Sequence, residues 1–475
     1  MAIFDELTTS SSAFLVIALL LVVGFEFVNG FHDSANAVAT VIYTKSLNPT
    51  VAVVWSGICN LLGALLSSGT VAYSILFLLP EELVNNTASI AGFVMVFSVL
   101  IAAIIWNLAT WYVGIPASSS HSLIGSILGI AIANSYLTGQ WSVHWSRITP
   151  VFLSLIISPI LGFCGGALLL KLLNKESENS NEQAPPWPIR LMLITTCMGV
   201  SFAHGSNDGQ KGMGLMMLVL VGILPGLFSL NMHTDPATFT RLMISSQNAV
   251  TLINQESFLT SEQAIEELTN YLKIGSIFEY QKLYPAVSNR LDKIAHQLAS
   301  RSNFKQIESD KRAQLRSDMY LVSGVIAKLE RHGELEGDLQ KKLLDCRRQL
   351  DRATKYIPIS VKVVVALSLG LGTMIGWKRV VVTVGEKIGS QGLNYSQGGV
   401  SQVVTALTIL LGDHFGLPVS TTHVLSSGVA GTMLASGSQL QIKTITNIAL
   451  AWILTLPVCT VLSALLYVSG MYFVK

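Results

Sequence analysis

The chain has little charge, few cysteines and no basic N-terminal region, and each scarcity removes a class of protein. Of 475 residues only 12% are Asp, Glu, Lys or Arg, against roughly 25% in an average soluble domain. A water-soluble globular enzyme is therefore a poor fit. The net charge is only +2 and the basic residues form no long run, which sets aside nucleic acid as a partner. Of the five cysteines, Cys59, Cys164, Cys197 and Cys459 stand in apolar sequence and Cys346 in charged sequence. Their spacing matches neither a disulfide framework nor a metal-ligand set, so all read as free thiols. The segment from Met1 to Glu6 lacks a basic region, so no cleaved signal peptide is expected and the first apolar run stays in the mature protein. Neither a Gly-x-x-x-x-Gly-Lys-Ser/Thr loop nor a His-Glu-x-x-His motif occurs. Their absence speaks against a phosphotransferase using His121 or Asp208 as phosphoryl acceptor.

What is present is apolar sequence, 51% of the chain, with a mean hydropathy of +0.54. Runs approaching the roughly 20 residues that span a bilayer lie near 13–28, 50–79, 91–113, 150–173, 189–203, 212–228, 357–377, 400–411, 427–435 and 444–474. With polar hairpins counted in, the sequence predicts an all-α polytopic membrane protein of about ten to twelve embedded segments. Trp106, Trp111, Tyr112, Trp141, Trp145 and Trp187 cluster near segment ends, as interfacial aromatics do. One stretch departs from this pattern. From 231 to 356 the sequence is charged, with helical spacing of Leu291, Ile294 and Leu298 and of Val322, Val325, Ile326 and Leu329. It reads as a soluble helical insert. The expected organisation is a first membrane repeat over 1–173, a polar linker over 174–188, the start of a second repeat over 189–230, the insert over 231–356, and the rest of the second repeat over 357–475.

The repeat reading rests on two motifs that recur in the same order. Gly-Phe-His-Asp-Ser-Ala-Asn-Ala at 30–37 is echoed by Gly-Ser-Asn-Asp-Gly-Gln-Lys-Gly at 205–212, and Gly-Ile-Pro-Ala-Ser-Ser-Ser-His at 114–121 by Gly-Leu-Pro-Val-Ser-Thr-Thr-His at 416–423. Gly30 and Pro116 are 86 positions apart, Gly205 and Pro418 are 213, and the excess of 127 is about the length of the insert. Duplicated apolar sequence interrupted by Gly, Pro and polar groups is the pattern of a secondary transporter, with its site at the interruptions.

The chemistry of these motifs points to an oxyanion and a cation. Ser118, Ser119 and Ser120, and likewise Ser420, Thr421 and Thr422, follow a proline and precede apolar sequence, as at a helix N-terminus. Unpaired backbone N–H groups, the positive end of the helix dipole and adjacent hydroxyls suit phosphate or sulfate there. The plainer alternative is that the hydroxyls only cap their helices. Asp33 and Asp208 lie in apolar surroundings, where a carboxylate costs a few kcal/mol unless it is paired or lines a wet cavity. A proton, Na⁺ or divalent metal would relieve their repulsion from an anion and couple the two uptakes. A carboxylate also accepts from the hydroxyl of HPO₄²⁻ or H₂PO₄⁻, which ionised sulfate lacks. Glu26 is a third acid for the cation path or a partner for a polar group on a neighbouring helix. His121, His204 and His423 are candidates for proton relay, or rings satisfied by a neighbouring hydroxyl.

These motifs resemble the inorganic phosphate transporter (PiT) family, most closely its bacterial low-affinity members, over essentially the whole chain. The resemblance implies inverted-topology repeats, re-entrant hairpins around a central phosphate, an inner-membrane location, a homodimer among membrane lipid, and cation-driven symport without a bound cofactor. It implies phosphate contacts from Asp33, Asn36, Ser118, Ser119, Ser120, Asp208, Ser420, Thr421 and Thr422. Coupling falls to Glu26, His32, Asp33, Asn207, Asp208 and Lys211. Sodium-coupled relatives read Gly-Ala-Asn-Asp-x-x-Asn in both copies, whereas this chain has His32 in place of the first Asn of one copy and Lys211 in place of the last Asn of the other. An amide oxygen suits a hard cation; imidazole is a nitrogen donor and an ammonium is no ligand. Histidine titrates near pH 6.5 when unperturbed. Proton coupling is therefore expected, with phosphate or a neutral divalent metal–phosphate complex as cargo. Sodium coupling, another oxyanion such as sulfate or arsenate, or an anion channel are the alternatives.

Overall fold

The structure is a computed structural model describing residues 9–33, 35–76, 78–79, 89–139, 143, 145–173, 185–253, 259–273, 280–390 and 392–474. Trp141 and most of the expected linker lie outside these residues. The chain forms two compact units, Met1–Val219 with Ile357–Lys475, and Leu220–Tyr356. Among the described residues no β-strand forms, and a single isolated antiparallel bridge joins Gly389 and Leu440.

Up to the second unit the helices are α1 (Thr9–Asp33), α2 (Ala35–Tyr43), α3 (Pro49–Leu66), α4 (Thr70–Leu76), α5 (Ile90–Val113), α6 (Ser119–Thr138), α7 (Trp145–Leu172) and α8 (Trp187–Ile223). Local chemistry sets several ends. Asn48 caps α3 by accepting from the Thr50 N–H at 3.0 Å, with Pro49 at the first helical position. Ser89 caps α5 by accepting from the Gly92 N–H at 3.1 Å, and Gly114 ends it with φ of 74°, a left-handed conformation that favours glycine. One expectation fails here. The sequence predicts separate segments over 189–203 and 212–228, yet α8 runs unbroken through the second motif. Its polar side chains find partners on other helices, so the backbone ladder has no reason to open.

The second unit holds α9 (Pro225–Phe228), α10 (Pro236–Ile253), α11 (Ser261–Lys273), α12 (Tyr280–Leu298), α13 (Ser309–Arg331) and α14 (Gly337–Thr354). It has its own core, with Phe239, Leu291, Val322 and Leu343 fully buried or nearly so. Inside that core Arg290 is fully buried and pairs with Asp318 at 3.2 Å, donating also to Ser261 at 2.6 Å. Cys346 is buried beside Ser246, and burial pushes its thiol up to about 12.

The first unit resumes with α15 (Ile359–Thr373), α16 (Lys378–Glu386), α17 (Tyr395–His414), α18 (Thr421–Ala435) and α19 (Ile442–Val474). Among the described residues five helical segments, Ser11–Tyr43, Pro49–Leu66, Ile90–Val113, Ile148–Leu172 and Ile442–Val474, are long and apolar enough to cross a membrane. The helices around the motifs, α6, α8, α17 and α18, carry too many hydroxyls, amides and charges, or are too short, to pass that test; the expected ten to twelve segments had counted them.

Packing within this unit is reciprocal. Helix α6 lies parallel to α19: Trp452 donates to the Pro116 carbonyl at 3.1 Å, Ser463 to Ser126 at 2.8 Å, and Tyr467 to Asn134 at 3.1 Å. Helix α18 lies parallel to α7, with Ser154 donating to the Pro418 carbonyl at 3.2 Å and Gly162 and Gly166 against Val424 and Gly428. Small residues at these crossings let the backbones approach closely. The two helices run in opposite directions. Helix α6 follows α19 towards Gly470, which packs on Val94 near the start of α5, whereas α18 ends with Met433 against Gly389, just past α16, whose Thr383 donates to Gly114 at the far end of α5.

Candidate functional site

The N-termini of α6 and α18 begin where the hydroxyl runs predict. Ser118 and Ser420 are the cap residues, each accepting from the N–H three positions on, of His121 and His423, at 3.2 Å. All six hydroxyl residues of the two runs are buried. The caps use Ser118 and Ser420 on their own helices, which leaves the next two positions of each run free to face other elements.

Those positions meet the acids. Ser119 donates to Asp33 Oδ2 at 2.6 Å and approaches Asp208 Oδ2 at 3.3 Å, while Thr422 donates to Asp33 Oδ1 at 3.0 Å. One hydroxyl thus stands between two buried carboxylates, one from each motif copy. Two such anions side by side are tolerable only with positive charge nearby. Lys211 supplies it at 2.7 Å from Asp208 Oδ2, and also donates to Ser120 at 2.5 Å. On the other side His32 Nδ1 lies 2.8 Å from Asp33 Oδ1 and its Nε2 lies 3.0 Å from the Thr110 hydroxyl. An imidazolium satisfies both contacts as a double donor; a neutral ring does so only if Thr110 turns its hydroxyl towards Nε2. His204 completes the cluster, with Nε2 3.5 Å from Asp208 and Nδ1 2.9 Å from Asn60. Asp33, His204 and Asp208 each offer an atom within 4.8 Å of the others, a donor set of two carboxylates and an imidazole that fits a divalent cation.

Some polar capacity at this centre is unspent. Asp208 Oδ1 and the Thr421 hydroxyl are buried without hydrogen-bond partners among the described residues. Thr421 lines a small cavity together with Asp33, Asn60, Ser201 and His204. Buried polar atoms left unpaired are costly, so this is where an incoming ligand gains most.

Other candidates lie elsewhere. Asn36 is in α2, and its side chain is outside the described residues. Asn207 donates to the Leu417 carbonyl at 3.2 Å and accepts from the Val419 N–H at 3.3 Å, so its amide fastens the α17–α18 hairpin. The rings of His121 and His423 meet at a 36° tilt with centroids 4.4 Å apart, and His423 stacks on Trp452 at 4.0 Å. Nδ1 of His121 and Nε2 of His423 have no hydrogen-bond partner among the described residues. Glu26 is fully buried against Gly212; Asn29, on its own helix, donates to Oε2 at 3.4 Å and Oε1 is unpartnered. The neighbours of Glu26 on α8 are the Gly212 backbone and the charges of Lys211 and Asp208.

Sequence reasoning missed Asp413, Asn60 and Thr110. Asp413 accepts from Ser206 at 2.6 Å and from Gln210, whose Oε1 in turn accepts from the Val71 N–H at 2.9 Å. By the motif alignment the equivalent pair in the first half is Phe31 and Trp111, an edge-to-face ring contact with centroids at 5.0 Å. The same junction is polar in one half and aromatic in the other. Asn60 did carry a signal, being an amide alone in an apolar helix.

A helical bundle with facing hydroxyl-bearing N-termini, carboxylates and an ammonium gathered in an apolar interior is the architecture of a polytopic membrane transporter. Comparison with known proteins agrees. The family described as "Phosphate transporter family" matches residues 29–463. The chain is 40% identical to the low-affinity inorganic phosphate transporter of Buchnera aphidicola subsp. Acyrthosiphon pisum, with 99% of each chain covered. It is likewise 40% identical to low-affinity inorganic phosphate transporter PitA of Escherichia coli K12, again with 99% of each covered. A solved structure titled "The sodium-dependent phosphate transporter" is similar in fold, with a TM-score of 0.53 and 22% identity over 98% of this chain and all of that one. The chain belongs to the phosphate transporter family. It is a multi-pass protein of the bacterial inner membrane and a transporter, not an enzyme.

Proposed function

We propose that the chain takes up inorganic phosphate by symport with protons, holding the anion between the N-termini of α6 and α18. The observation that carries this reading is the meeting of both motif pairs at one point: Ser119 between Asp33 and Asp208, and Thr422 on Asp33. Hydroxyls and helix N-termini bind the anion's oxygens, and the aspartates accept a hydrogen bond from its hydroxyl. The opposed directions of α6 and α18, and the pairing of each with the last helix of the other half, support inverted repeats with hairpins entering from opposite sides. Relatives carrying phosphate by name across the full length support the substrate.

Proton coupling is supported by His32 and Lys211. Lys211 places a fixed positive charge on Asp208 where a sodium ion would otherwise be needed, and His32 can hold a proton against Asp33 without losing either ring contact. The Asp33–His204–Asp208 set supports a second form of cargo, phosphate accompanied by a divalent cation. Assembly as a homodimer is part of the same reading. The substrate is tested by uptake of labelled phosphate into proteoliposomes with sulfate and arsenate as competitors. Arsenate should compete and sulfate should not. Equal competition by sulfate would discard the role given to the aspartates, and failure of external phosphate to accelerate labelled efflux would favour a channel.

A further inference from the structure

We propose that a groove at the end of α5 binds the head group of an anionic phospholipid. The groove, of about 600 Å³, is lined by Trp111, Tyr112, Trp377, Lys378, Arg379 and Lys387 among others, and no lining residue is acidic. Helix α5 is an apolar helix closing at Val113, and Trp111 and Tyr112 in its last turn are the residue types that pack against lipid head groups. The site is built rather than loose. Arg379 lies over the rings of Trp111 and Tyr112, 5.1 and 4.8 Å from their centroids, and donates to the Tyr112 carbonyl at 2.5 Å. Trp111 donates to the Gly376 carbonyl at 2.8 Å and Thr383 to the Gly114 carbonyl at 2.7 Å, fixing the two walls together.

Charge and surface select the ligand. Among the described residues Lys378, Arg379 and Lys387 have no ion-pair partner, so three cations stand unneutralised around one recess. A phosphodiester complements them. Val113 and Ile375 beside the groove are 68% and 56% exposed. A small soluble anion would use the cations and leave these apolar flanks in water, whereas a phospholipid covers both at once. The groove adjoins the first motif, since Trp111 packs edge-on against Phe31 and Thr110 beside it meets His32, but its three cations make no contact with Asp33 or Asp208 among the described residues, so the lipid test does not depend on the coupling ion.

The test is native mass spectrometry of the purified full chain titrated with phosphatidylglycerol or phosphatidylcholine, in the wild type, K378Q/K387Q and K378R/K387R. The double glutamine variant leaves the Arg379 stack in place. Wild type should retain phosphatidylglycerol over phosphatidylcholine. Each cation near an anionic head group contributes about fivefold, so the glutamine variant should weaken phosphatidylglycerol about 25-fold and the arginine variant should restore it. Equal retention of the two lipids, unchanged binding in the glutamine variant, or displacement of phosphatidylglycerol by excess inorganic phosphate would each overturn the proposal.

Discussion

At the scale of single residues, the centre is a balance of two carboxylates against one ammonium and two imidazoles, with hydroxyls between. Removing one charge exposes the rest. Asp33→Asn withdraws the counter-charge from His32 and weakens the acceptor used by Ser119 and Thr422. Truncating one member of a buried charge pair costs about 2–5 kcal/mol, so phosphate uptake should fall at least about 30-fold with membrane levels maintained. Uptake near wild type in normalised vesicles would remove Asp33 from the site. His32→Gln keeps a polar group opposite Thr110 but cannot carry a proton to Asp33. It should reduce accumulation driven by an imposed proton gradient, and undiminished proton-driven accumulation would take His32 off the proton path. Asp413→Ala leaves Ser206 and Gln210 without their shared acceptor. Hydrogen bonds to a charged group contribute about 1.5–3 kcal/mol each, so the purified variant should melt at a lower temperature than wild type, in keeping with that loss of stability. Asp413→Asn, retaining one acceptor oxygen, should fall in between; equal behaviour of both variants and wild type would make this contact incidental.

At the scale of elements, what was legible in the sequence was whatever its own neighbours determine. Proline, then hydroxyls, then apolar residues gave the starts of α6 and α18, because capping is decided within four positions. Leu291, Ile294 and Leu298 marked one buried face of α12, and all but the periodicity could be ignored. The course of α8 was not legible. Whether Gly205 breaks a helix depends on what lies beside it, and here its missing Cβ lets the Asn60 backbone of α3 come close. The partners of Asp413 and Asn60 were hidden for the same reason, since Ser206 and His204 lie far away in sequence. The insert gives its own test of packing. Arg290→Ala would strand the buried Asp318 carboxylate, a loss of about 3–5 kcal/mol, and should make the insert of the full chain cleavable by limited proteolysis under conditions where wild type resists. In wild type, Cys346 should stay unlabelled by maleimide at mildly alkaline pH, because burial holds its thiol protonated up to about 12; labelling without denaturant would contradict this core.

At the scale of the whole molecule, the duplicated motifs made the family readable and pointed to which residues would meet, because two copies recur in one order. The sequence left open how they meet. The structure answers with two helices, α6 and α18, running in opposite directions from a common polar centre, and with junctions of unlike chemistry, Ser206–Asp413 in one half and Phe31–Trp111 in the other. The central claim is that this centre carries its own positive charge and so needs protons rather than sodium. The most direct measurement is labelled phosphate uptake into proteoliposomes holding the purified protein, with an inward proton gradient and an inward sodium gradient imposed separately. Accumulation driven by the proton gradient alone, unchanged by sodium, is the expected result, whereas accumulation only with sodium would contradict the roles of His32 and Lys211.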